Sequence, residues 1–131
     1  MAATGRCHCG AIRYSVEGEP GHAALCHCRD CTRHSGAPMV GWALFPDTAV
    51  SIEGTPAVYA SSEHGRRHFC GTCGTGLFYT SEAVFPGKID VQIATLDDPD
   101  AYPAQAHIQV ADDPRWMADA HDLPRFDRYP G

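Results

Sequence analysis

Residues 70–74 read CGTCG, two cysteines three positions apart with a glycine directly after the second. A Cys-x-x-Cys pair at a tight turn points two thiolates at one metal ion, and Gly74 tolerates the left-handed backbone that such turns often need. Residues 7–10 read CHCG, a shorter pair followed by a glycine in the same way. Because a structural zinc takes four ligands, the two pairs predict one closed site that ties distant strands together, on Cys7, Cys9, Cys70 and Cys73.

A second group of cysteines lies between these pairs. Residues 26–31 read CHCRDC, which places Cys26, Cys28 and Cys31 on one loop running into a predicted helical turn. The chain has seven cysteines, so none remains to complete a four-cysteine site here. Either a histidine closes a second structural zinc site, or the fourth position is open to water or a thiol substrate. The histidines considered for closure are His27, His34, His64 and His68.

The cysteines favour metal over disulfides. Their number is odd, and residues 1–6 contain no apolar signal region, so a cytoplasmic location is expected. In that compartment closely spaced cysteines bind metal or carry out redox chemistry more often than they form a disulfide framework. A redox disulfide between Cys26 and Cys28 or Cys31 is an alternative use of the second group.

Length and charge limit the remaining function classes. The 131 residues predict a single domain over 1–131 with an ordinary hydrophobic core. The formal charge of −6, without a run of Lys or Arg, argues against nucleic acid or an anionic membrane as a partner. No segment approaches the roughly 20 apolar residues of a membrane helix.

Alternation of apolar and polar residues predicts an antiparallel, β-rich fold. Strands with one buried face are expected in segments that alternate with period two. These segments are residues 12–17, 50–53, 89–93 and 106–110. Residues 39–45 are continuously apolar, which indicates a strand covered on both faces.

Other elements are predicted from the cysteine turn at residues 70–74 and from glycine and proline positions. Residues 67–70 and 77–80 flank the CGTCG turn as a predicted hairpin. Short helices are expected at residues 30–35, ending at Gly36, and at residues 114–120, capped by Asp113.

A few other side chains are weaker candidates. Arg29, Arg33, Arg66 and Arg67 lie near cysteines in sequence and could hold an anionic substrate, although solvated surface charge is their commoner role. Glu63 and His64 are candidates for proton transfer. The aromatic residues that could line a pocket, with core packing as the commoner alternative, are Trp42, Phe45, Phe69 and Phe78.

The order of these motifs resembles the glutathione-dependent formaldehyde-activating enzyme family, to which centromere protein V is related. The matching strings are G-x-C-x-C-G-x-I-x-Y, C-H-C-x-x-C-x-x-x-S-G-A-P and F-C-x-x-C-G-x-x-L-F. They occupy residues 5–14, 26–38 and 69–78, and residues 114–116 with 122–126 resemble the family's tail.

The resemblance implies a mainly β fold shared with a zinc-binding exchange factor for Rab GTPases and with methionine sulfoxide reductase B. It implies two zinc ions per chain: a structural one on Cys7, Cys9, Cys70 and Cys73, and a catalytic one on Cys26, Cys28 and Cys31. It also implies a carbon–sulfur lyase or synthase activity that joins glutathione to formaldehyde, as S-(hydroxymethyl)glutathione synthase does.

We therefore expect Cys26, Cys28 and Cys31 to hold an open zinc that binds a small glutathione-like thiol and lowers its pKa, so that the thiolate attacks a small aldehyde. The alternative is a non-catalytic module with two structural zinc ions. A chromatin or cytoskeletal role like that of centromere protein V would call for a basic extension, and this acidic chain shows none.

Overall fold

The computed structural model describes residues 2–130, which form two β-sheets and little helix. The strands are β1 (Ala2–Arg6), β2 (Arg13–Glu17), β3 (His22–Cys26), β4 (Val40–Pro46), β5 (Val50–Glu53), β6 (Ala57–Ala60), β7 (Arg66–Phe69), β8 (Gly76–Thr80), β9 (Lys88–Gln92) and β10 (His107–Ile108). The α-helix is α1 (Arg29–Ser35), and 3-10 turns span Asp47–Ala49, Ile93–Thr95, Val110–Asp112 and Arg115–Asp122. The predicted mainly β class is confirmed.

The strands are arranged in one small and one large sheet. The small sheet has the order β1-β2-β5, and the large sheet has the order β10-β3-β4-β9-β8-β7-β6. Neighbouring strands pair antiparallel, except that β10 runs parallel to β3 at the edge of the large sheet. The predicted hairpin around residues 70–74 is formed by β7 and β8.

The central part of the large sheet is covered on both faces. One face of its central strands packs with the small sheet in the main core, which includes Tyr14, Val16, Ala23, Ala43, Phe45, Phe78, Ile89 and Val91. A second cluster of buried residues consists of Cys26, Cys31, Val40 and Trp42. Since Trp42 and Ala43 are successive residues of β4 and belong to different clusters, β4 is buried on both sides, as its apolar run predicted.

The predicted helix at residues 30–35 is confirmed as α1. It ends at Gly36, whose φ of 70° is left-handed and whose N–H donates to the Thr32 carbonyl. This is the glycine stop expected after a short helix.

Two predictions near the C-terminus are wrong. Residues 106–110 were expected to form a half-buried strand, but only His107–Ile108 pairs, and both residues are exposed. Asp113 was expected to cap a helix, but the 3-10 turn Arg115–Asp122 has no side-chain cap. The Asp113 carboxylate instead bonds to His27, a tertiary partner that local sequence does not reveal.

Within residues 2–130, no helix has the length and apolar character needed to cross a membrane.

Candidate metal centres

The four cysteines predicted to form a closed site come together. Their sulfurs all lie within 4.8 Å of one another. The Sγ atoms of Cys7 and Cys9 are 3.7 Å apart, and those of Cys9 and Cys70 are 3.8 Å apart. Four ligands at ~2.3 Å from a tetrahedral metal lie roughly 3.8 Å from one another. The spacing and the all-sulfur donor set therefore fit a tetrahedral ion such as zinc.

Two similar turns build this four-cysteine cluster. Gly10 and Gly74 directly follow the paired cysteines, and each has a left-handed φ of 83°. In the second turn the N–H of Cys73 points at the Cys70 sulfur, 3.5 Å away. Because Cys7 and Cys70 are both 1% exposed within the main core, the cluster joins the β1–β2 loop to the β7–β8 hairpin from inside the fold.

The three remaining cysteines form a second cluster, with sulfurs also within 4.8 Å of one another. Cys26 is the last residue of β3, and Cys28 is the N-cap of α1. The Cys28 sulfur accepts a hydrogen bond of 3.3 Å from the Cys31 N–H, so the start of the helix fixes the spacing of these two side chains.

One thiol of this three-cysteine cluster ionises easily. Hydrogen bonding from Cys26, with smaller contributions from Cys28 and the Arg67 cation, holds the pKa of Cys31 at about 5 despite burial. The pKa of Cys28 is raised, chiefly by burial. Because the three thiols lie close together, one of them loses its proton readily while the others retain theirs. This is expected for sulfurs arranged to share one cation.

None of the four histidines considered for closure joins this cluster. No further His, Cys, Asp or Glu of residues 2–130 brings a ligand atom into the same 4.8 Å group. His27 turns both ring nitrogens away, to Asp113 at 2.6 Å and to His107 at 2.9 Å. His68 bonds to Thr80 at 3.0 Å.

The other two histidines are also engaged elsewhere. The His34 ring stacks on Tyr59 with centroids 6.0 Å apart. His64 is exposed beside Glu63, at 3.8 Å, so the pair considered for proton transfer lies on the surface. In the part of the chain that the structure describes, the cluster thus consists of three cysteines.

Arg67 lies against the three-cysteine cluster, so the expectation of a solvated surface charge is wrong for this residue. Its side chain is 5% exposed. Both terminal nitrogens lie 3.6 Å from the Cys31 sulfur, and its Cζ lies 5.0 Å from the centroid of the Tyr79 ring. By contrast, Arg29 and Arg33 are exposed, and Arg66 is half-buried with its guanidinium on backbone carbonyls.

A cavity of about 240 Å³ opens beside the three-cysteine cluster. Its walls include the three cysteines, Trp42, Arg67, Tyr79 and Asp90. Of the four aromatic residues considered for a pocket, Trp42 lines this cavity, whereas Phe45 and Phe78 belong to the main core.

Asp90 is the residue that sequence reasoning missed. The alternation of Ile89 and Val91 placed it on a solvent-facing side, yet it is 7% exposed because β9 is covered on both faces. Burial, with the nearby Cys31 charge, raises its pKa to about 7. An acidic residue inside a central strand is the only sequence signal that could have marked it.

A sequence model of the family described as glutathione-dependent formaldehyde-activating enzyme matches residues 2–112 of this chain. The chain belongs to the glutathione-dependent formaldehyde-activating enzyme family. This match confirms the resemblance drawn from the three cysteine motifs, all of which lie inside the matched range.

The alignments with similar known proteins cover most of the length of this chain. It is 29% identical over 112 residues to an uncharacterised lyase of Schizosaccharomyces pombe, covering 75% of this chain and 82% of that protein. It is 26% identical over 133 residues to a protein of Halomonas elongata named as a candidate glutathione-dependent formaldehyde-activating enzyme, covering 89% and 80%. The crystal structure of a Rhodobacter sphaeroides protein matches with a TM-score of 0.57 at 25% identity, covering 79% of this chain and 98% of that one.

Proposed function

We propose that this chain is a zinc-dependent carbon–sulfur lyase or synthase that acts on a small glutathione-like thiol and a small aldehyde. Cys7, Cys9, Cys70 and Cys73 would hold a structural zinc, and Cys26, Cys28 and Cys31 would hold a catalytic one. A cytoplasmic location would suit a reaction that consumes a reduced thiol.

One observation carries this proposal. The three-cysteine cluster has no fourth protein ligand in residues 2–130, and it borders a cavity instead of being enclosed by side chains. Structural zinc sites have four protein ligands, whereas catalytic sites keep one position for substrate or water. The four-cysteine cluster in the same chain provides the contrast, since its donor set is complete.

The donor set favours sulfur chemistry over hydrolysis. A zinc ion held by Cys26, Cys28 and Cys31 would lower the pKa of a substrate thiol, with less Lewis acidity than a histidine-ligated zinc has. Arg67, beside Cys31, offsets the excess negative charge of the three thiolates and so favours a further anionic sulfur at the site.

The reaction then needs a bond between the substrate sulfur and the aldehyde carbon. As the sulfur–carbon bond forms, the carbonyl π pair moves to oxygen, and oxygen receives a proton equivalent to the one the thiol released. In reverse, the carbon–sulfur bond breaks, the hydroxyl proton is lost and the aldehyde is released. Trp42 and the other apolar walls of the cavity limit the access of water to the reacting atoms.

The choice of thiol and aldehyde is supported by the family match and by the names of the relatives. The matching family and the Halomonas elongata protein are described as glutathione-dependent and formaldehyde-activating, and the Schizosaccharomyces pombe relative is named a lyase. These descriptions agree with the thiol chemistry that the three-cysteine cluster favours.

The direct test is exchange-NMR of glutathione and formaldehyde with the zinc-loaded protein. The wild-type protein should accelerate formation and breakdown of S-(hydroxymethyl)glutathione beyond the spontaneous rate. Cys28→Ser should return the rate to the spontaneous value while the protein stays folded. Equal rates with and without the wild-type protein, for glutathione and for simpler thiols, would contradict the proposal.

A second test asks whether a thiol enters the three-cysteine site. With cobalt(II) at this site and zinc on the four cysteines, added glutathione should strengthen the thiolate-to-cobalt absorption band saturably. A spectrum that does not respond to any small thiol would favour the alternative, a binding module with two structural zinc ions.

A further inference from the structure

A row of polar side chains crosses the large sheet beneath the three-cysteine cluster. Arg67 of β7 lies directly opposite Tyr79 of β8, and Tyr79 lies opposite Asp90 of β9. Residues that are directly opposite in neighbouring strands point to the same face of a sheet. The register therefore places all three side chains on the face that carries the cavity, and all three line it.

Two members of this row are buried without complete hydrogen bonding. Arg67 is 5% exposed and Asp90 is 7% exposed. Among the described residues, the Nε of Arg67 and one carboxyl oxygen of Asp90 have no hydrogen-bond partner. A buried polar atom without a partner costs about 1–3 kcal/mol, so two residues that each carry such an atom and line the same cavity call for a function.

The arginine side chain extends over the middle of this row. Neighbouring strands are roughly 4.8 Å apart, so Arg67 and Asp90 start about 10 Å from each other, with Tyr79 between them. The guanidinium carbon lies 5.0 Å from the centroid of the Tyr79 ring, and the terminal nitrogens contact Cys31. These contacts hold the guanidinium against the sulfur cluster, and its Nε–H is buried without a partner among the described residues.

We propose that the carboxyl group of Asp90, in the cavity wall that it shares with Arg67, forms the subsite for the oxygen atom of the small electrophile; this rests on the function proposed above. Such an oxygen is a carbonyl in the aldehyde and a hydroxyl in the thiol adduct. Asp90 can accept from the hydroxyl or, when protonated, donate to the carbonyl.

In the proposed addition, Asp90 gives one proton and regains one. The substrate sulfur bonds to the carbonyl carbon, and the π pair moves to the oxygen beside Asp90. The proton of the Asp90 carboxyl passes to that oxygen, and the proton that the thiol releases restores the carboxyl group. A pKa of about 7 suits Asp90 to give and regain a proton near neutral pH.

The size of the cavity limits the electrophile. Sites for drug-sized ligands occupy about 300–1,000 Å³, and this cavity measures about 240 Å³. It has room for the reacting end of a thiol and a small aldehyde. Large aldehydes are expected to be poor substrates because they would have to displace Trp42 or Tyr79.

Binding to the subsite can be measured without turnover. We would follow the Arg67 Nε–H and Trp42 indole N–H signals of the zinc-loaded wild-type protein by 15N NMR while adding acetamide, an unreactive carbonyl probe with an acceptor and donors. Both signals should shift saturably. The chain's other tryptophan, Trp116, lies in the 3-10 turn Arg115–Asp122. It is 57% exposed and should not respond. If neither the Arg67 nor the Trp42 signal shifts, the subsite is wrong.

Kinetics with Asp90 variants give a second readout. Asp90→Leu should lower kcat/KM for formaldehyde by roughly 10²–10³-fold, the usual loss when a group that stabilises a developing oxyanion is removed. Asp90→Asn, which keeps a hydrogen-bond donor, should recover part of that loss. Affinity for the thiol in the cobalt titration should stay within about twofold in both variants, and Asp119→Leu on the exposed tail is the control.

The outcomes separate the two proposals. Probe-induced shifts without any thiol–aldehyde turnover would refute the proposed function and leave a carbonyl-binding site that serves another reaction. Turnover that is unaffected in Asp90→Leu would refute the subsite and keep the function. A loss in Asp90→Leu that equals its loss of thiol affinity would also refute the subsite, because Asp90 would then act through the sulfur cluster.

Discussion

At the scale of single residues, two charged side chains are buried inside the large sheet. Arg67 and Asp90 are more than nine-tenths buried, where charged residues are rare unless paired. Arg67 has Cys31 as its counter-charge, and Asp90 relieves its burial by taking up a proton more readily. Both residues are therefore coupled to the three-cysteine cluster or its cavity.

Replacing Arg67 should weaken metal binding at one site only. Arg67→Met removes the cation that faces the Cys31 sulfur, so we expect the three-cysteine site to lose about 10–100-fold in zinc affinity, as removal of an outer-shell partner usually does. Competition with a chromophoric chelator measures this, and the four-cysteine site serves as the internal control. Arg66→Met, one position away, should leave both affinities unchanged. Equal weakening by both variants would indicate a general loss of structure.

Asp90 should make the protein less stable as pH rises from acid to neutral. Its folded pKa is about 7, against an ordinary value of 3.8. Below about pH 4 the carboxyl is protonated in both the folded and the unfolded chain; between about pH 4 and pH 7 it ionises mainly when unfolded, which favours unfolding. At about 1.4 kcal/mol per pH unit this lowers the free energy of unfolding by up to roughly 4 kcal/mol.

Comparison with Asp90→Asn isolates this contribution. The stability of the variant relative to wild type should increase across the same pH interval in urea denaturation experiments. A relative stability that is constant with pH would show that Asp90 has an ordinary pKa.

At the scale of elements, the two cysteine clusters differ in what they connect. The four-cysteine cluster joins the β1–β2 loop to the β7–β8 hairpin, which belong to different sheets. The three-cysteine cluster lies at the end of β3 and the start of α1, so its ligands are close in the chain. Loss of the first cluster is therefore expected to remove a long-range connection, and loss of the second is expected to leave the sheets in place.

Cys73→Ser and Cys28→Ser are a matched pair, since both residues are half-buried. Metal binding at a site absent from the unfolded chain contributes directly to folding, so Cys73→Ser should lower Tm severely or prevent folding. Cys28→Ser should melt close to wild type, because serine is itself a preferred N-cap for α1. Thermal melts followed by circular dichroism decide, and equal losses would contradict the division into a structural and a functional site.

At the scale of the whole molecule, the C-terminal segment is fastened to the loop that carries the three cysteines. The buried ring of His27 bonds to Asp113 and His107, and the Arg29 N–H donates to Asp112. Most residues beyond 110 are exposed, so these few contacts and the pairing of β10 with β3 hold the segment.

Asp113→Ala should loosen this segment. It leaves a His27 ring nitrogen without its partner although the ring is only 3% exposed, at a cost of about 1–3 kcal/mol. Limited proteolysis should cleave residues 110–130 of this variant faster than in wild type. In Asp119→Ala, an exposed change on the same segment, cleavage should proceed at the wild-type rate. Unchanged cleavage in Asp113→Ala would show that other contacts hold the tail.

Features that depend on a few neighbouring residues were predictable from the sequence, whereas features that depend on tertiary contacts were not. The turn at residues 70–74, the strand at 39–45 and the helix ending at Gly36 were predictable because spacing, apolar content and glycine act over a few residues. Strand β3, HAALC, was missed because it shows no alternation. The alternation around Asp90 was seen, but it predicted a solvent-facing side for β9, whereas Asp90 is buried in the cavity wall. The single-domain organisation and the roles of the seven cysteines stay predictions.

The sequence by itself determined the family, the β-rich class and the division of seven cysteines into groups of four and three, because ligand type and short spacing are local properties. Only the tertiary structure decided that no considered histidine joins the group of three, that Arg67 faces Cys31, and that Asp90 lies in a cavity wall. Each of these depends on which strands become neighbours and in what register. Register is fixed by the packing of both faces of the large sheet, and no single segment of the sequence contains that information.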